Sequence, residues 1–127
     1  MLAELMKLPD AEFELMKLIW EMPPPVTSME LAARLPDDLQ WKPQTILTLL
    51  GRMEKRGFLR SRKEGKERLY YPVVGEDEYM SFEASLLRKR YRNHSLASFV
   101  GSLYGADRLK EEEILDLEQW LEAQKKR

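Results

Sequence analysis

The 127-residue chain contains no cysteine, which excludes disulfide bonds, thiolate nucleophiles and thiolate metal sites. It has a single histidine, His94, too few for a histidine-based metal site within one chain. The carboxylates read as helix-start and exposed-face residues. None is spaced with a nucleophile or base in a catalytic pattern, so neither an enzyme nor a cofactor is expected. No apolar run approaches the roughly 18 residues of a membrane span. Met1 to Pro9, carrying Glu4 and Lys7, lacks the continuous apolar core of a signal peptide. A soluble cytoplasmic protein with no membrane partner is the expectation. An excess of one charge is also missing. Lys and Arg number 21 against 22 Asp and Glu, so total charge gives no nucleic-acid signal.

What is present is 43% hydrophobic residues, which excludes global disorder and suits one ordinary domain or two small ones. Units of this size bury a low fraction of their surface and often complete a core by dimerising. Charge is also unevenly placed. From Lys42 to Arg68 there are nine Lys and Arg against three Glu, whereas from Glu76 onward there are nine against eleven acidic residues.

The basic region begins in the stretch around which the chain is organised, Trp41 to Gly57. Pro43 suits a first helical position, where its missing N–H has no intrahelical partner, and Gly57 suits the left-handed turn past the end. Ile46, Leu49, Leu50 and Met53 fall at the i, i+3, i+4, i+7 spacing of one buried stripe. Lys42, Gln44, Thr45, Thr48, Arg52 and Lys55 are left for the other face. Before it, Asp10 to Trp20 predicts an amphipathic helix with acidic residues in its opening turns, stopped by Met22-Pro23-Pro24-Pro25. Thr27-Ser28-Met29-Glu30 is a capping box opening a short second helix through Leu31, Ala32, Ala33 and Leu35. A tight polar turn at Pro36-Asp37-Asp38 then leads to Trp41, which gives the sequence form of a helix-turn-helix.

Two strand-like runs follow, Phe58 to Lys63 and Glu67 to Val73, around a turn at Glu64-Gly65-Lys66. An isolated hairpin is not stable, so hairpin and helices are expected to form one unit, a winged helix. Arg62, Lys63 and Lys66 would stand near its tip, as phosphate-neutralising groups do. Gly75 to Glu78 reads as the boundary to a second part. Tyr79, Phe82, Leu86 and Leu87 predict a fourth helix, ending in Arg88-Lys89-Arg90-Tyr91-Arg92. That run is a solvated helix end favoured by the dipole, or else a group that touches a nucleic-acid backbone or an anionic effector. Leu96, Phe99, Val100, Leu103 and Tyr104 predict a fifth helix. Ile114, Leu117, Trp120 and Leu121 predict a last one, with Leu109 and Ile114 at staple spacing. Apolar stripes with little to pack on in one chain argue for a symmetric dimer.

With these residues in view, the segments Asp10 to Trp20 and Trp41 to Met53, the hairpin through Tyr70-Tyr71-Pro72 and the Glu111-Glu112-Glu113-Ile114 helix resemble the penicillinase-repressor (BlaI/MecI) family. The likeness runs over nearly the whole chain in order. It implies a winged helix binding a palindromic double-stranded operator and a three-helix dimerisation part. It also implies control of antibiotic-resistance or related genes, with an inducing protease as a further partner. The family's copper-sensing branch uses C-terminal cysteines, which this chain lacks. Two departures from the family pattern stand out. Lys42, Gln44 and Leu47 occupy slots that usually hold Ser, Lys and Arg, and Ala97-Ser98-Phe99-Val100 stands where an Asn-Phe cleavage pair is expected.

The resulting expectation is a mainly α chain with a small β-hairpin wing. Residues 1–74 form a winged-helix DNA-binding domain and residues 75–127 a three-helix dimerisation domain. DNA contacts are assigned to Lys42, Gln44, Thr45, Thr48, Arg52, Arg62, Lys63 and Lys66. Dimer contacts are assigned to Phe82, Leu86, Leu96, Phe99, Val100, Leu103, Ile114, Leu117, Trp120 and Leu121. The alternative is a winged-helix protein-interaction module in which Leu47 turns the helix face toward a protein.

Overall fold

Helix α1 (Asp10–Glu21) begins after Pro9 and ends at Met22, whose extended backbone leads into the three prolines. A computed structural model describes residues 5–105 and 107–127; the readings that fall on residues 1–4 and on Ala106 lie outside the described residues. Helix α2 (Ser28–Arg34) opens on the expected capping box. The Glu30 N–H donates to the Thr27 hydroxyl at 3.2 Å, and the Thr27 N–H donates to the Glu30 carboxylate at 2.9 Å. Helix α3 (Pro43–Lys55) starts with proline in its first turn, as read from the sequence. It ends in a Schellman motif. Gly57 takes a φ of 87°, its N–H donates to Glu54 O, and the Phe58 N–H donates to Met53 O, both at 3.0 Å.

Strands β1 (Leu59–Glu64) and β2 (Glu67–Pro72) pair antiparallel, with Leu59 opposite Pro72 and Glu64 opposite Glu67. The turn is therefore Gly65-Lys66 alone, one residue shorter than the sequence suggests. Gly65 has a φ of 64°, the conformation that a two-residue hairpin turn asks of its first central residue and that glycine adopts without strain. The chain before α2 also joins this ladder. Val26 and Tyr70 exchange both backbone hydrogen bonds at 2.9 Å, so the hairpin is tied to the entrance of α2.

Helix α4 (Glu76–Arg90), helix α5 (Leu96–Tyr104) and helix α6 (Glu111–Lys125) complete the chain. Two compact units result, one ending at Leu87 and the other beginning at Arg88. In the first, Leu15, Met16 and Ile19 of α1, Leu31 of α2 and Ile46, Leu50 and Met53 of α3 form the core, closed by Val26, Phe58 and Tyr79. The first unit reaches past Gly75 because Tyr79 is buried in it. Its ring lies 5.9 Å from those of Phe13 and Trp20, 5.5 Å from Phe58 and 6.0 Å from Phe82, while the Trp20 indole N–H donates to Val74 O at 2.9 Å. In the second unit, α5 is capped by Ser95, whose hydroxyl accepts the Ser98 N–H at 3.0 Å. Neither α5 nor α6 has a buried residue among those described.

The Tyr79 hydroxyl accepts the Leu8 N–H at 2.6 Å and donates to Glu83 at 2.9 Å. Burial, opposed by the Leu8 N–H and reinforced by Glu83, pushes this hydroxyl up from 10.0 to about 12. A raised pKa means that the folded state holds the proton longer than the unfolded chain. The stabilisation is complete below pH 10 and is lost as pH rises toward 12. In urea titrations the unfolding free energy of the wild type should fall across this window, and that of Tyr79→Phe should fall less.

Candidate nucleic-acid interface

The buried stripe of α3 determines what its opposite face offers. Ile46, Leu49, Leu50 and Met53 are buried as expected. Gln44, Thr45, Leu47, Thr48, Gly51, Arg52 and Lys55 are all exposed, as is Lys42 at the N-cap. Trp41, half-buried, packs on the core just before the helix. Of the residues assigned to DNA contact, the structure therefore sets Gln44, Thr45, Thr48 and Arg52 on one exposed helix face with Lys42 at its start.

The hairpin supplies the second element. Arg62, Lys63 and Lys66 are exposed around its turn. Arg62 also pairs with Glu64 at 3.1 Å, but both side chains are well exposed, so this pair holds little energy and yields readily to a stronger anion. Lys42, Arg52, Lys63 and Lys66 take part in no ion pair among the described residues. Arg60 lies over the Tyr71 ring at 4.8 Å, a cation–π contact that holds its guanidinium on the strand face.

Helix and hairpin are joined by side chains that sequence reading did not single out. Ser61 of β1 donates to the Glu54 carboxylate of α3 at 2.8 and 2.9 Å, and Arg68 of β2 donates to the Ser61 hydroxyl at 3.0 Å. The one carboxylate near the end of the α3 face is thus turned onto the wing. At the C-cap of the same helix, Arg56 pairs with Glu12 of α1. Glu12 is 1% exposed, which corrects the reading of the carboxylates as surface residues. The signal was available, because Glu12 shares the i, i+3, i+4, i+7 line of Leu15, Met16 and Ile19. Its partner, far along the chain, was not marked by any local pattern.

The residues assigned to dimer contacts are placed differently from one another. Phe82 packs on the core of the first unit. Leu86, Leu96, Leu103, Ile114, Leu117, Trp120 and Leu121 are exposed, whereas Phe99 and Val100 are half-buried. Within the second unit, Val100, Tyr104, Leu109, Leu117 and Trp120 line a shallow hollow. The Glu113 carboxylate closes the N-terminus of α6 by accepting the Lys110 N–H at 2.9 Å, and it also accepts the Tyr104 hydroxyl. The Tyr104 bond first, and the Lys110 N–H second, hold this carboxyl below its ordinary range. The Arg88 to Arg92 run is exposed throughout. Among the described residues no group of three or more His, Asp or Glu could hold a metal ion, and no helix is long and apolar enough to cross a membrane.

The chain was compared with known proteins. The model of the penicillinase repressor family matches residues 8–123. The penicillinase repressor of Bacillus licheniformis is 36% identical over 118 residues, 93% of this chain and 91% of that protein. The methicillin resistance regulatory protein MecI of Staphylococcus aureus (strain N315) is 29% identical over 109 residues, 84% of this chain and 86% of that protein. Among solved structures, the solution structure of the DNA binding domain of the repressor BlaI covers 57% of this chain and 88% of its own, at 37% identity and a TM-score of 0.50.

Removing Arg56 should expose how far the end of α3 depends on its ion pair. Arg56→Ala leaves the Glu12 carboxylate buried without a counter-charge and is expected to cost about 3 kcal/mol in urea unfolding. Glu12→Gln combined with Arg56→Ala should recover part of that loss, because an amide is cheaper to bury than a carboxylate.

Proposed function

Because the chain belongs to the penicillinase repressor family, we propose that it is a homodimeric winged-helix transcriptional repressor that binds double-stranded operator DNA. Repressors of this family are not enzymes. The observation that carries the reading is the exposed face of α3, polar and cationic, with a hairpin bonded to its C-terminal end that carries exposed cations around its turn. In this role α3 lies in a major groove. Gln44, Thr45 and Thr48 meet base edges, Lys42 and Arg52 meet the backbone beside them, and Arg62, Lys63 and Lys66 on the wing meet adjacent phosphates. The likeness to the solved DNA binding domain of the repressor BlaI supports DNA binding by this part of the chain.

Dimerisation is the counterpart of this role. The second unit exposes Leu96, Leu103, Ile114, Leu117, Trp120 and Leu121, and an apolar surface of that extent is stabilised by a partner. We assign residues 1–74 to operator binding and residues 75–127 to dimerisation, the start of α4 through Tyr79 and Phe82 being packed into the first unit. A two-fold dimer calls for a pseudo-palindromic site with half-sites about one helical turn apart, or a multiple of it. A cytoplasmic location and control of antibiotic-resistance or related genes fit this role. An inducing protease as a further partner belongs to the same reading, and Ala97-Ser98-Phe99-Val100, at the exposed to half-buried start of α5, lacks the Asn-Phe pair at which such cleavage is expected.

One observation favours a second reading. Leu47, in the middle of the α3 face, is 42% exposed, which would suit a protein-binding module. Fluorescence anisotropy separates the two. The full chain should bind its own promoter fragments more tightly than random duplex, with affinity falling steeply as salt rises. Lys63→Ala with Lys66→Ala should reduce the salt slope by about 2. Equal affinity for promoter and random duplex would reject the repressor reading. Size-exclusion chromatography with light scattering should give twice the chain mass, and Trp120→Glu should shift the protein toward monomer.

A further inference from the structure

We infer that the outward line Gln44, Leu47, Thr48 and Gly51 makes this chain a reader of an A·T step in each half-site, Gln44 bonding an adenine edge and Leu47 covering a thymine methyl. The inference rests on the operator-binding reading of α3 and concerns what that helix reads. The four residues fall at i, i+3, i+4 and i+7, one line along the exposed face in the N-terminal and middle turns. Single exposed leucines are ordinary, so the 42% exposure of Leu47 does not carry the case by itself.

Gly51, one turn further along the same line, supplies the second observation. Glycine inside a helix costs about 1 kcal/mol relative to alanine. Nothing among the described residues accounts for that cost. A Cβ added at Gly51 would meet no heavy atom within 4 Å, and the residue has ordinary helical backbone. The line therefore carries an apolar side chain next to a bare stretch of backbone, a shape that admits a partner at close range. The charges around it point to a polyanion. Lys42 and Arg52 flank the line, it has no carboxylate of its own, and Glu54 is turned away onto Ser61.

In a major groove each side chain has a chemical match. Glutamine can donate to adenine N7 and accept from its N6 amino group, and an aliphatic side chain packs on the C5 methyl of thymine. Guanine is read best by Arg or Lys, and neither lies on this line. The chemistry thus selects A·T over G·C at the positions facing Gln44 and Leu47.

The test uses the full chain and duplexes enriched by it from a randomised 30-base-pair pool. Each thymine of an enriched duplex is replaced in turn by uracil, which removes only the C5 methyl. At one thymine in each half-site, uracil should weaken wild-type binding about fourfold, the worth of one buried methyl. Leu47→Ala, with an unchanged circular dichroism spectrum, should bind the thymine and uracil duplexes equally, and Leu47→Arg should move preference at that base pair toward G·C. Enrichment of a tight site whose thymines are all replaceable, or retention of the thymine preference by Leu47→Ala, would overturn the inference and leave the repressor reading intact. Failure to enrich any duplex above random sequence would overturn both.

Discussion

The ion pair between Glu12 and Arg56 is the constraint on which the candidate interface depends. A carboxylate in an apolar core is costly unless a cation meets it, and Glu12 lies on the innermost line of α1. Arg56 can answer it only from one place, the C-cap of α3. The charge thereby sets the end of α3 against α1, and it does so where the next residue, Gly57, turns the chain into the hairpin. A core of Leu, Ile and Met side chains could accommodate a slide or rotation of α3 at modest cost, because such side chains repack. A buried charge with a single partner cannot. The rotation of the exposed face follows from this fixed end as much as from the hydrophobic stripe.

The hairpin inherits that position through two further links. Ser61 and Arg68 connect both strands to Glu54, a residue of the same helix end, and the Val26–Tyr70 bridge holds β2 to the segment before α2. A two-stranded ribbon has no stability of its own to hold an orientation. With α3 on one side and the entrance to α2 on the other, its base is held while the Gly65-Lys66 tip projects with its cations. Tyr79 does for α4 what Arg56 does for α3. Its ring fills the aromatic cluster of Phe13, Trp20, Phe58 and Phe82, and its hydroxyl bonds the backbone of Leu8.

Local chemistry made much of this legible before any coordinates. The stripe of α3, the Thr27 capping box and the glycine stop at Gly57 each depend on residues within about one to two turns of one another, and sequence displays such relations directly. The unread features are pairings across long separations. Glu12 looks like one more acidic residue at a helix start until Arg56 comes beside it. Tyr79 reads equally well as the first apolar residue of the second part, and only its packing shows that it serves the first. The hairpin turn moved by one residue because the Gly65 conformation, and not polarity, decides which residues pair. On the exposed faces the limit is different. Exposure of Gln44 or Leu47 follows from periodicity, but a face that the fold does not use leaves no trace of its partner in the fold.

That separation has a consequence for how α3 can vary. Stability rests on Ile46, Leu49, Leu50 and Met53, on the Arg56 pair and on the Gly57 stop, none of which faces outward. Lys42, Gln44 and Leu47, the positions that the sequence reading sets apart from the usual family pattern, all lie on the exposed side. Substitutions there leave the packed side of the helix untouched. Gly51 shows that the exposed side is not optimised for the helix itself, since alanine would fit and would favour the helical state. A residue that costs stability without serving the fold is best accounted for by what the surface binds. The core keeps the helix in one place, and in the operator-binding role proposed for it the outward line is left to set which base pairs it accepts.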